Sequence, residues 1–443
     1  MSGPARAADG ESTPTRSSFR RAGAVTYGAT GLVLSLSLVT GVLVARTLGP
    51  EGRGELSAVV TAPLVVTWLG ALGCSTAITY HQARHPDDAP RLLGTWAVIL
   101  VPAALVAVVA GELLLPTLLS AQTAETVSLA QLFMLTVVLM MAAEPFVGVV
   151  WGDQDFGFAN VLRVTPPLIL AVAYSALWIA DSLTVASAVL VSAVVAGVML
   201  VLPAGRVLRR HAFGRPDLAL GRRTLWYGVR AHGDTVAALT NTRLDLLIMP
   251  AFLGSASVGL YSVAANVAGI ILTMCGSLAA IVMPAAVRRG PDGPPLVVAS
   301  LQVTLMVGGG LAAAIALVAG PAVDLVYGTE FAGSVTPLRL LLPGVVLMAA
   351  AIVIGAGLYA MNRPFTAFAA QLVGMAITVP GLVVFLPRGG TTAAALVSTI
   401  SYSTVFALTL LAYLRVSGLR WRDLVAPAPW MRSVFSRSAW RAT

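Results

Sequence analysis

The chain has 443 residues, of which 57% are hydrophobic and only 11% are charged, and its formal net charge is +9. A soluble chain would carry about a quarter charged residues, so the composition excludes an ordinary soluble domain and predicts an all-α polytopic membrane protein. The arginines flank apolar segments and do not form a patch with aromatic residues, which argues against nucleic acid as a partner.

The N-terminal segment, residues 1–22, is polar and rich in Ala, Ser, Thr and Pro, and we expect it to be disordered in the cytoplasm. We expect no removable signal peptide, because no small-residue cleavage site follows a short apolar core. The two cysteines, Cys74 and Cys275, both lie within apolar segments. They therefore predict neither a disulfide framework nor a metal site.

Twelve apolar segments follow, each long enough to cross a bilayer as a helix. Most arginines lie in alternate loops, and the positive-inside rule places those loops and both termini in the cytoplasm. The predicted organisation is an N-terminal six-helix lobe over 23–205, an Arg-rich cytoplasmic linker over 206–224 and a C-terminal six-helix lobe over 225–415. The twelve segments are 24–46, 56–80, 92–115, 127–150, 163–181, 184–205, 226–250, 258–287, 296–320, 336–359, 365–386 and 391–414.

The last part of the chain, residues 416–443, alternates arginines with Trp421, Trp430, Phe435 and Trp440. Such a pattern is typical of a helix that lies on the anionic lipids of the cytoplasmic leaflet. A disordered basic tail is the alternative. Anionic membrane lipids are therefore a predicted partner of this tail.

An internal repeat supports the division into two lobes. The pattern L-G-x-x-x-x-G-x-x-S begins at Leu48 and again at Leu253, 205 residues later. A second pattern, R-x-P-D-x-x-P, begins at Arg84 and recurs at Arg289 with the same offset. Two patterns in one register predict two copies of a six-helix unit, related by an axis along the membrane normal. Repeats of this kind commonly bind their substrate between the lobes.

The segment 226–250 is long and apolar enough to span the membrane, yet it carries several charged residues. Wound as a single α-helix, it places Arg243 on one side and four other polar residues on the opposite side. Charges at this depth are costly unless they face water or partners, so we predict that the four-residue side lines a hydrated path and that Arg243 serves an outer gate. The four residues are Arg230, Asp234, Asn241 and Asp245.

A structural interpretation of these charges is the alternative. In it, Arg230 pairs with Asp234 and Arg243 pairs with Asp245, and the two pairs lock helices together without touching a substrate.

Three further charged residues sit in or beside the first lobe's spans. Arg46 ends the first span and either faces the central path or snorkels at the helix end, whereas Arg53 is placed in the following outer loop. In the fourth span, Glu144 precedes Pro145 and is a candidate for coupling transport to a proton or sodium ion. Pairing with an arginine at the cytoplasmic interface is the alternative for Glu144.

Patterns of enzymes, cofactors and metals do not occur in the sequence. There is no phosphate-cradling Gly-rich loop, nucleophile elbow or catalytic triad. His81 and His85 lie in a short loop that contains Pro86, and such a loop favours a solvated turn over a metal site. We therefore predict no catalytic residues, no cofactor and no metal, and the chain is not expected to be an enzyme.

Two segments carry a resemblance to a known family. ARTLGPEGRGELSAV and RLDLLIMPAFLGSASVGLYSVAANV look like the multidrug/oligosaccharidyl-lipid/polysaccharide (MOP) flippase superfamily, and most like the polysaccharide flippases of bacterial surface-glycan clusters. The resemblance implies about twelve transmembrane helices in two pseudo-symmetric bundles around a central cavity. It also implies alternating access that moves an isoprenoid-diphosphate-linked oligosaccharide from the cytoplasmic to the outer leaflet of a bacterial plasma membrane.

A diphosphate headgroup needs cationic or hydrogen-bonding groups to cross hydrocarbon, and bidentate guanidinium suits phosphate oxygens. The candidate residues that bind this substrate are Arg46, Arg230, Asp234, Asn241, Arg243, Asp245 and Asn266.

Two other functions stay open. One is a cation-coupled multidrug exporter of the same superfamily, although residues 24–45 contain no carboxylate. The other is a non-transporting membrane scaffold for glycan synthases. Glycan polymerase or synthase proteins are accordingly further candidate partners.

Overall fold

The computed structural model describes residues 16–290 and 293–425, and this part of the chain consists of helices joined by short connections, without a strand. The α-helices are α1 (Arg16–Gly70), α2 (Cys74–Gln82), α3 (Ala89–Leu118), α4 (Ala124–Met134), α5 (Thr136–Gly152), α6 (Phe156–Ile179), α7 (Val185–Leu208), α8 (Leu218–Asn241), α9 (Leu244–Ile248), α10 (Ser255–Arg289), α11 (Gly293–Val326), α12 (Val335–Ala360), α13 (Pro364–Ser417) and α14 (Trp421–Val425).

Nine stretches of the described residues are helical, long and apolar enough to cross a membrane. Two of these stretches contain a kink at a glycine with positive φ, Gly49 in α1 (φ 64°) and Gly390 in α13 (φ 53°). Only glycine adopts such angles without strain, so each long helix is divided into two helical halves. The charged helix α8 is too polar to be counted among the nine. The prediction of an all-α polytopic membrane protein is confirmed.

Helix packing divides the chain at the middle. In the first half, α5 packs against α2, α3 and α7, and α1 packs against α6; in the second half, α12 packs against α10, α11 and α13. Each half has its own buried cluster of apolar side chains, which includes Trp96 in the first and Tyr261 in the second. Because both halves bury a core of their own, they can pack against each other as separate lobes.

The predicted N-terminal segment, linker and tail each contain helical residues. Residues 1–15 of the predicted N-terminal segment lie outside the described residues, and 16–22 are helical. Within the predicted linker, only the stretch 209–217 is non-helical; we call this stretch the interlobe loop. The tail forms the short helix α14 after α13 ends, and residues 426–443, which include three of its four aromatic ones, lie outside the described residues.

The prediction of one continuous helix over 226–250 is wrong. α8 ends at Asn241, and α9 begins at Leu244 after a turn in which Arg243 has φ −126° and ψ −3°. The hydroxyl of Thr242 donates a hydrogen bond to the Leu239 carbonyl (2.8 Å) at this point, and such side-chain bonds compete with helix continuation. The break rotates every residue after Asn241 away from the side that a continuous helix would give it.

At one end of the first lobe, ionic contacts fix the connection between α5 and α6. Asp155 caps α6 by accepting a bond from the Phe158 backbone N–H (3.2 Å). Arg206 of α7 donates two further bonds to the same carboxylate, at 2.8 and 3.2 Å. The hydrogen bonds from the Arg206 side chain and then from Phe158 hold the pKa of Asp155 below its usual range.

The substitution Arg206→Gln is expected to destabilise the protein at neutral pH by less than about 1 kcal/mol, because the pair is partly exposed. Since the folded-state pKa of Asp155 is depressed, the stabilisation is present above the unfolded-state pKa of about 3.9 and is lost as the pH falls below it. Thermal unfolding of both proteins should therefore show a larger difference at pH 7 than at pH 3. Arg209→Gln, at an exposed position, is the control. An equal difference at both pH values would contradict the expectation.

Candidate functional site: the cavity between the lobes

The two lobes approach most closely where α1 crosses α10. A Cβ atom added to Gly54 would overlap the carbonyl oxygen of Ser255 and lie 2.8 Å from the Gly259 nitrogen. A Cβ added to Gly259 would overlap the carbonyl oxygen of Pro50 and lie 3.1 Å from the Gly54 nitrogen. Gly54 and Gly259 are equivalent positions of the sequence repeat. The repeated pattern therefore marks a pseudo-symmetric crossing at which only glycine allows the backbones to meet.

Hydrogen bonds close the space between the lobes on both sides of this crossing. On one side, Arg46 donates to the carbonyl oxygens of Val326 (2.9 Å) and Leu325. On the other side, the hydroxyl of Ser120 donates to the carbonyl of Ala251 (3.1 Å). The repeat offset relates Arg46 to Ala251 and Ser120 to Leu325, so the two contacts are also pseudo-symmetric. Arg46 thus bonds to the opposite lobe at the closed end.

A cavity of about 680 Å³ lies beside the crossing, bounded by α1, α6 and α7 of the first lobe and by α10 of the second. Two arginines line it, Arg53 and Arg243, and among the lining residues that the structure describes there is no Asp or Glu. The cavity therefore has a cationic character at its polar positions. Its other polar lining residues are Ser37, Thr40, Tyr174, Ser192, Asn266, Thr273 and Tyr327.

Arg53 belongs to the second half of α1 and reaches across the interface between the lobes. It donates to the Ser262 hydroxyl of α10 (3.3 Å) and to the Gly41 carbonyl (3.5 Å). A guanidinium has five N–H donors, so donors remain for a ligand in the cavity. Sequence reasoning missed this residue by placing it in an outer loop. A signal was available, because Arg53 begins a helical stripe that continues through cavity-lining residues at 56, 60 and 64.

Arg243 lines the cavity from the turn between α8 and α9 and is half-buried. Its side chain makes no hydrogen bond or ion pair with a residue in the part of the chain described here. Predicted to lie on the side opposite the hydrated path, it instead faces that path. The break after Asn241 is the physical reason, because it changes the direction of the chain immediately before Arg243.

Asn241 and Asp245, predicted to face the path, are buried within the second lobe and are only 1% and 3% exposed. Neither lines the cavity. Both form hydrogen bonds with side chains of other helices, which agrees with a helix-locking arrangement, although the partners are not arginines. Asn241 donates to Gln371 (3.3 Å) and accepts from Thr378 (3.2 Å), and Asp245 accepts from Tyr261 (2.5 Å) and Ser398 (3.3 Å).

The Tyr261→Phe substitution is expected to destabilise the protein by about 1–3 kcal/mol, because it removes a hydrogen bond from the buried Asp245 carboxyl group. Thermal unfolding in detergent would measure this change. Tyr402→Phe is the matched control, since Tyr402 is equally buried in the same lobe and its hydroxyl forms no hydrogen bond with another described residue. If both substitutions lower stability equally, the bond to Asp245 is not responsible.

The remaining predicted site residues are dispersed. Asn266 lines the cavity from α10. Arg230 lies outside it, with its guanidinium carbon 5.5 Å from the ring centre of Trp226 and 5.6 Å from that of Phe365. The side chain of Asp234 lies outside the described residues.

Glu144 is half-buried in α5, and its carboxylate forms no hydrogen bond or ion pair with another residue of the described part. Between α1 and α2, Leu72 (φ 53°) and Gly73 (φ 70°) interrupt the helix. A role of Glu144 in ion coupling stays a prediction.

The lobes meet along two interfaces that the repeat makes equivalent. We call these interfaces seams, and only one of them is closed by contacts between its helices. In the seam between α2 and α8, the rings of Tyr80 and Tyr227 stack at 4.2 Å, and a Cβ on Gly228 would lie 2.9 Å from the Gly73 carbonyl. The seam that the repeat makes equivalent to it lies between α1 and α10. There the cavity lies between residues 33–44 of α1 and residues 265–273 of α10, so these stretches of the two helices are held apart, away from the crossing at Gly54.

The family model described as "Polysaccharide biosynthesis protein" matches residues 20–288, which is more than half of the chain. The protein belongs to this family. No sequence among the curated proteins matches it.

Solved structures of three membrane proteins share the fold of this family member. An inward-facing multidrug resistance MATE family transporter of the MOP superfamily is 16% identical, with a TM-score of 0.68 over 87% of this chain and 95% of that chain. Lipid II flippase MurJ, in an inward closed conformation, is 13% identical, with a TM-score of 0.71 over 92% and 91%. The MATE multidrug transporter DinF-BH in complex with R6G is 16% identical, with a TM-score of 0.66 over 94% and 100%.

These comparisons confirm the fold predicted from the sequence, which is twelve helices in two six-helix bundles around a central cavity. They also agree with the resemblance, since the protein belongs to the polysaccharide biosynthesis family and shares its fold with a transporter of the MOP superfamily. The protein is therefore a multi-pass membrane protein that belongs to the polysaccharide biosynthesis family.

Proposed function

We propose that the protein is a flippase that moves an isoprenoid-diphosphate-linked oligosaccharide from the cytoplasmic to the outer leaflet by alternating access. The observation that carries this proposal is the cavity between the lobes, which offers two arginines and no carboxylate among its described lining residues. A strongly anionic headgroup fits such a cavity.

The diphosphate headgroup is the part of the substrate that the protein must shield from the hydrocarbon of the membrane. A diphosphate must cross about 30 Å of hydrocarbon, and its charge is costly there unless it is neutralised. Arg53 and Arg243 can each present paired N–H donors to phosphate oxygens. Asn266 and Ser37 supply neutral donors and acceptors for sugar hydroxyls. The cavity volume of about 680 Å³ is in the usual range for a small-molecule site and suits a diphosphate with its first sugars.

The isoprenoid chain needs no such shielding, because it is soluble in the bilayer. The seam between α1 and α10, where the cavity reaches both helices, gives the chain a way to stay in the lipid while the headgroup is inside the protein. The seam between α2 and α8 is closed by the Tyr80–Tyr227 stack and cannot serve this purpose.

We assign the closed end of the cavity to the outer side of the membrane. The arginine distribution favours a cytoplasmic position for both termini, and in that orientation α1 carries Arg46 and the Gly54 crossing to the outer side of the proposed bacterial-type plasma membrane. Release to the outer leaflet requires the contacts at this end to open. We propose that this opening is coupled to the binding of an ion at Glu144.

The same charges disfavour the multidrug alternative. A cationic drug entering the cavity would meet Arg53 and Arg243 without a neutralising carboxylate among the described lining residues. Unpaired like charges are a means of excluding the wrong ligand.

Reconstitution of the purified protein in vesicles tests the proposal. A fluorescent lipid-linked oligosaccharide in the inner leaflet should become accessible to an added glycan-binding protein, whereas a cationic rhodamine dye should not be transported. Transport of the dye alone would identify a drug exporter. Movement of neither substrate, in vesicles that contain folded protein, would favour the scaffold function.

A further inference from the structure

A second cavity of about 150 Å³ lies on the surface of the first lobe, between α3 and α5 and away from the space between the lobes. All of its lining residues are apolar. Val101 and Val138 are 62% and 41% exposed, so the groove opens on the surface that faces the acyl chains of the bilayer. An apolar cavity of this volume accommodates a molecule as large as benzene, which corresponds to part of a hydrocarbon chain.

One wall of this groove comes from the interlobe loop. The ring of Phe213 contacts that of Phe146 edge to face, with their centres 6.1 Å apart. The loop is fixed on α3, because the Gly214 N–H donates to the Pro90 carbonyl (2.7 Å) and a Cβ on Gly94 would overlap the Gly214 carbonyl oxygen. The aromatic ring is thus held at the cytoplasmic end of the groove by backbone contacts.

Two arginines flank the same end. Arg91 lies at the start of α3, and Arg215 follows Phe213 by two residues. Their backbones are adjacent, since a Cβ on Gly214 would lie 2.9 Å from the Arg91 nitrogen. The Arg91 side chain is 66% exposed and has only a long contact of 3.8 Å with Asp88. Arg215 is exposed, and no carboxylate of the described residues pairs with it.

We infer that this groove binds an anionic phospholipid, with one acyl chain against α3 and α5 and the phosphate between Arg91 and Arg215. The positive charge at the mouth and the apolar lining match the two parts of that molecule. Basic residues at the cytoplasmic surface attract anionic lipids. The bound lipid would join the core of the first lobe to the loop that connects the lobes. This site differs from the C-terminal tail, and its occupancy does not depend on the proposed transport.

Native mass spectrometry of the purified full-length protein tests the inference, with phosphatidylglycerol and phosphatidylcholine of identical chains as probes. The wild type should retain phosphatidylglycerol in preference. Removing one basic residue near an anionic lipid lowers its binding roughly fivefold, so the double substitution of Arg91 and Arg215 by Gln should lower retention by more than about tenfold. Ala97→Phe, which fills the groove, should also lower it.

Two matched variants serve as controls. Val109→Phe adds the same ring to an exposed position of α3 outside the groove, and Arg288→Gln removes an exposed arginine from the second lobe. Both should retain the lipid like the wild type. The inference is overturned if the double arginine variant retains phosphatidylglycerol normally, or if the wild type retains both lipids equally. An isoprenyl phosphate that the wild type retains in preference and that the double arginine variant loses would overturn it too, because the groove would then belong to the substrate.

Discussion

Replacing Arg53 and Arg243 together by glutamine is expected to weaken binding of an isoprenoid-diphosphate headgroup by at least about a hundredfold. Each hydrogen bond to a charged group contributes about 1.5–3 kcal/mol, and tenfold in affinity corresponds to about 1.4 kcal/mol. Both guanidinium groups line the same cavity, and no described carboxylate lines it with them. Each single substitution should therefore lose about tenfold or more on the same basis. Isothermal titration of the purified protein with a short-chain isoprenoid diphosphate measures the effect.

Arg230→Gln is the matched control for this experiment. Arg230 lies in the same charged segment as Arg243, but its guanidinium lies over two aromatic rings outside the cavity. Its replacement should leave the affinity unchanged within about twofold, which is less than 0.5 kcal/mol. Lysine at Arg53 or Arg243 should give an intermediate affinity, because it keeps the charge and loses the bidentate geometry. Equal losses in Arg230→Gln and Arg243→Gln would refute a cavity-specific role.

A methyl group at Gly54 or Gly259 is expected to force the lobes apart at their crossing. Either Cβ atom would overlap a backbone carbonyl oxygen of the other lobe, and a backbone cannot move aside as a side chain can. Overpacking of this kind costs about 1–3 kcal/mol, which is enough to shift a two-state equilibrium of conformations strongly. We therefore expect Gly54→Ala and Gly259→Ala to disfavour the state that is closed at this end and to abolish transport.

Labelling of a cavity cysteine measures this shift. In a background with Cys74 and Cys275 replaced by alanine, Ser37→Cys places a single thiol in the cavity. A membrane-impermeant maleimide added outside should label it slowly in the background protein and several times faster with Gly54→Ala.

Gly197→Ala is the control for the crossing, because a Cβ at Gly197 meets no atom within 4 Å. It should change neither labelling nor transport. Slow labelling and normal transport in Gly54→Ala would show that the crossing tolerates a side chain and does not control closure.

The internal repeat shows which features of this structure can be predicted from the sequence. Its two copies predict that Gly54 and Gly259 occupy equivalent positions, because the patterns share one register. They do not predict that the two glycines contact each other. That contact arises because both helices cross near the axis that relates the lobes, and the position of an axis is a property of the packed protein.

The charged segment shows where sequence reasoning fails. Its residues are helical over most of the segment, as predicted, but the angular positions of its charges assume an unbroken helix. Because the chain forms a turn at Thr242 and Arg243, Asp245 is buried in the second lobe, whereas Arg243 lines the cavity. The free-energy difference between a continuous helix and such a turn is small, so tertiary packing decides it. The same holds for Arg53, whose exposure to the cavity depends on how the second lobe covers α1.

Photocrosslinking tests most directly whether the cavity between the lobes holds the diphosphate headgroup. A lipid-linked oligosaccharide with a diazirine on its first sugar would be irradiated with the reconstituted protein, and the modified peptides would be identified by mass spectrometry. We predict labelling of α1 near Ser37 and of α10 near Asn266 and Thr273, and its loss in the double Arg53 and Arg243 variant. Labelling confined to other surfaces, or unchanged in that variant, would contradict the account.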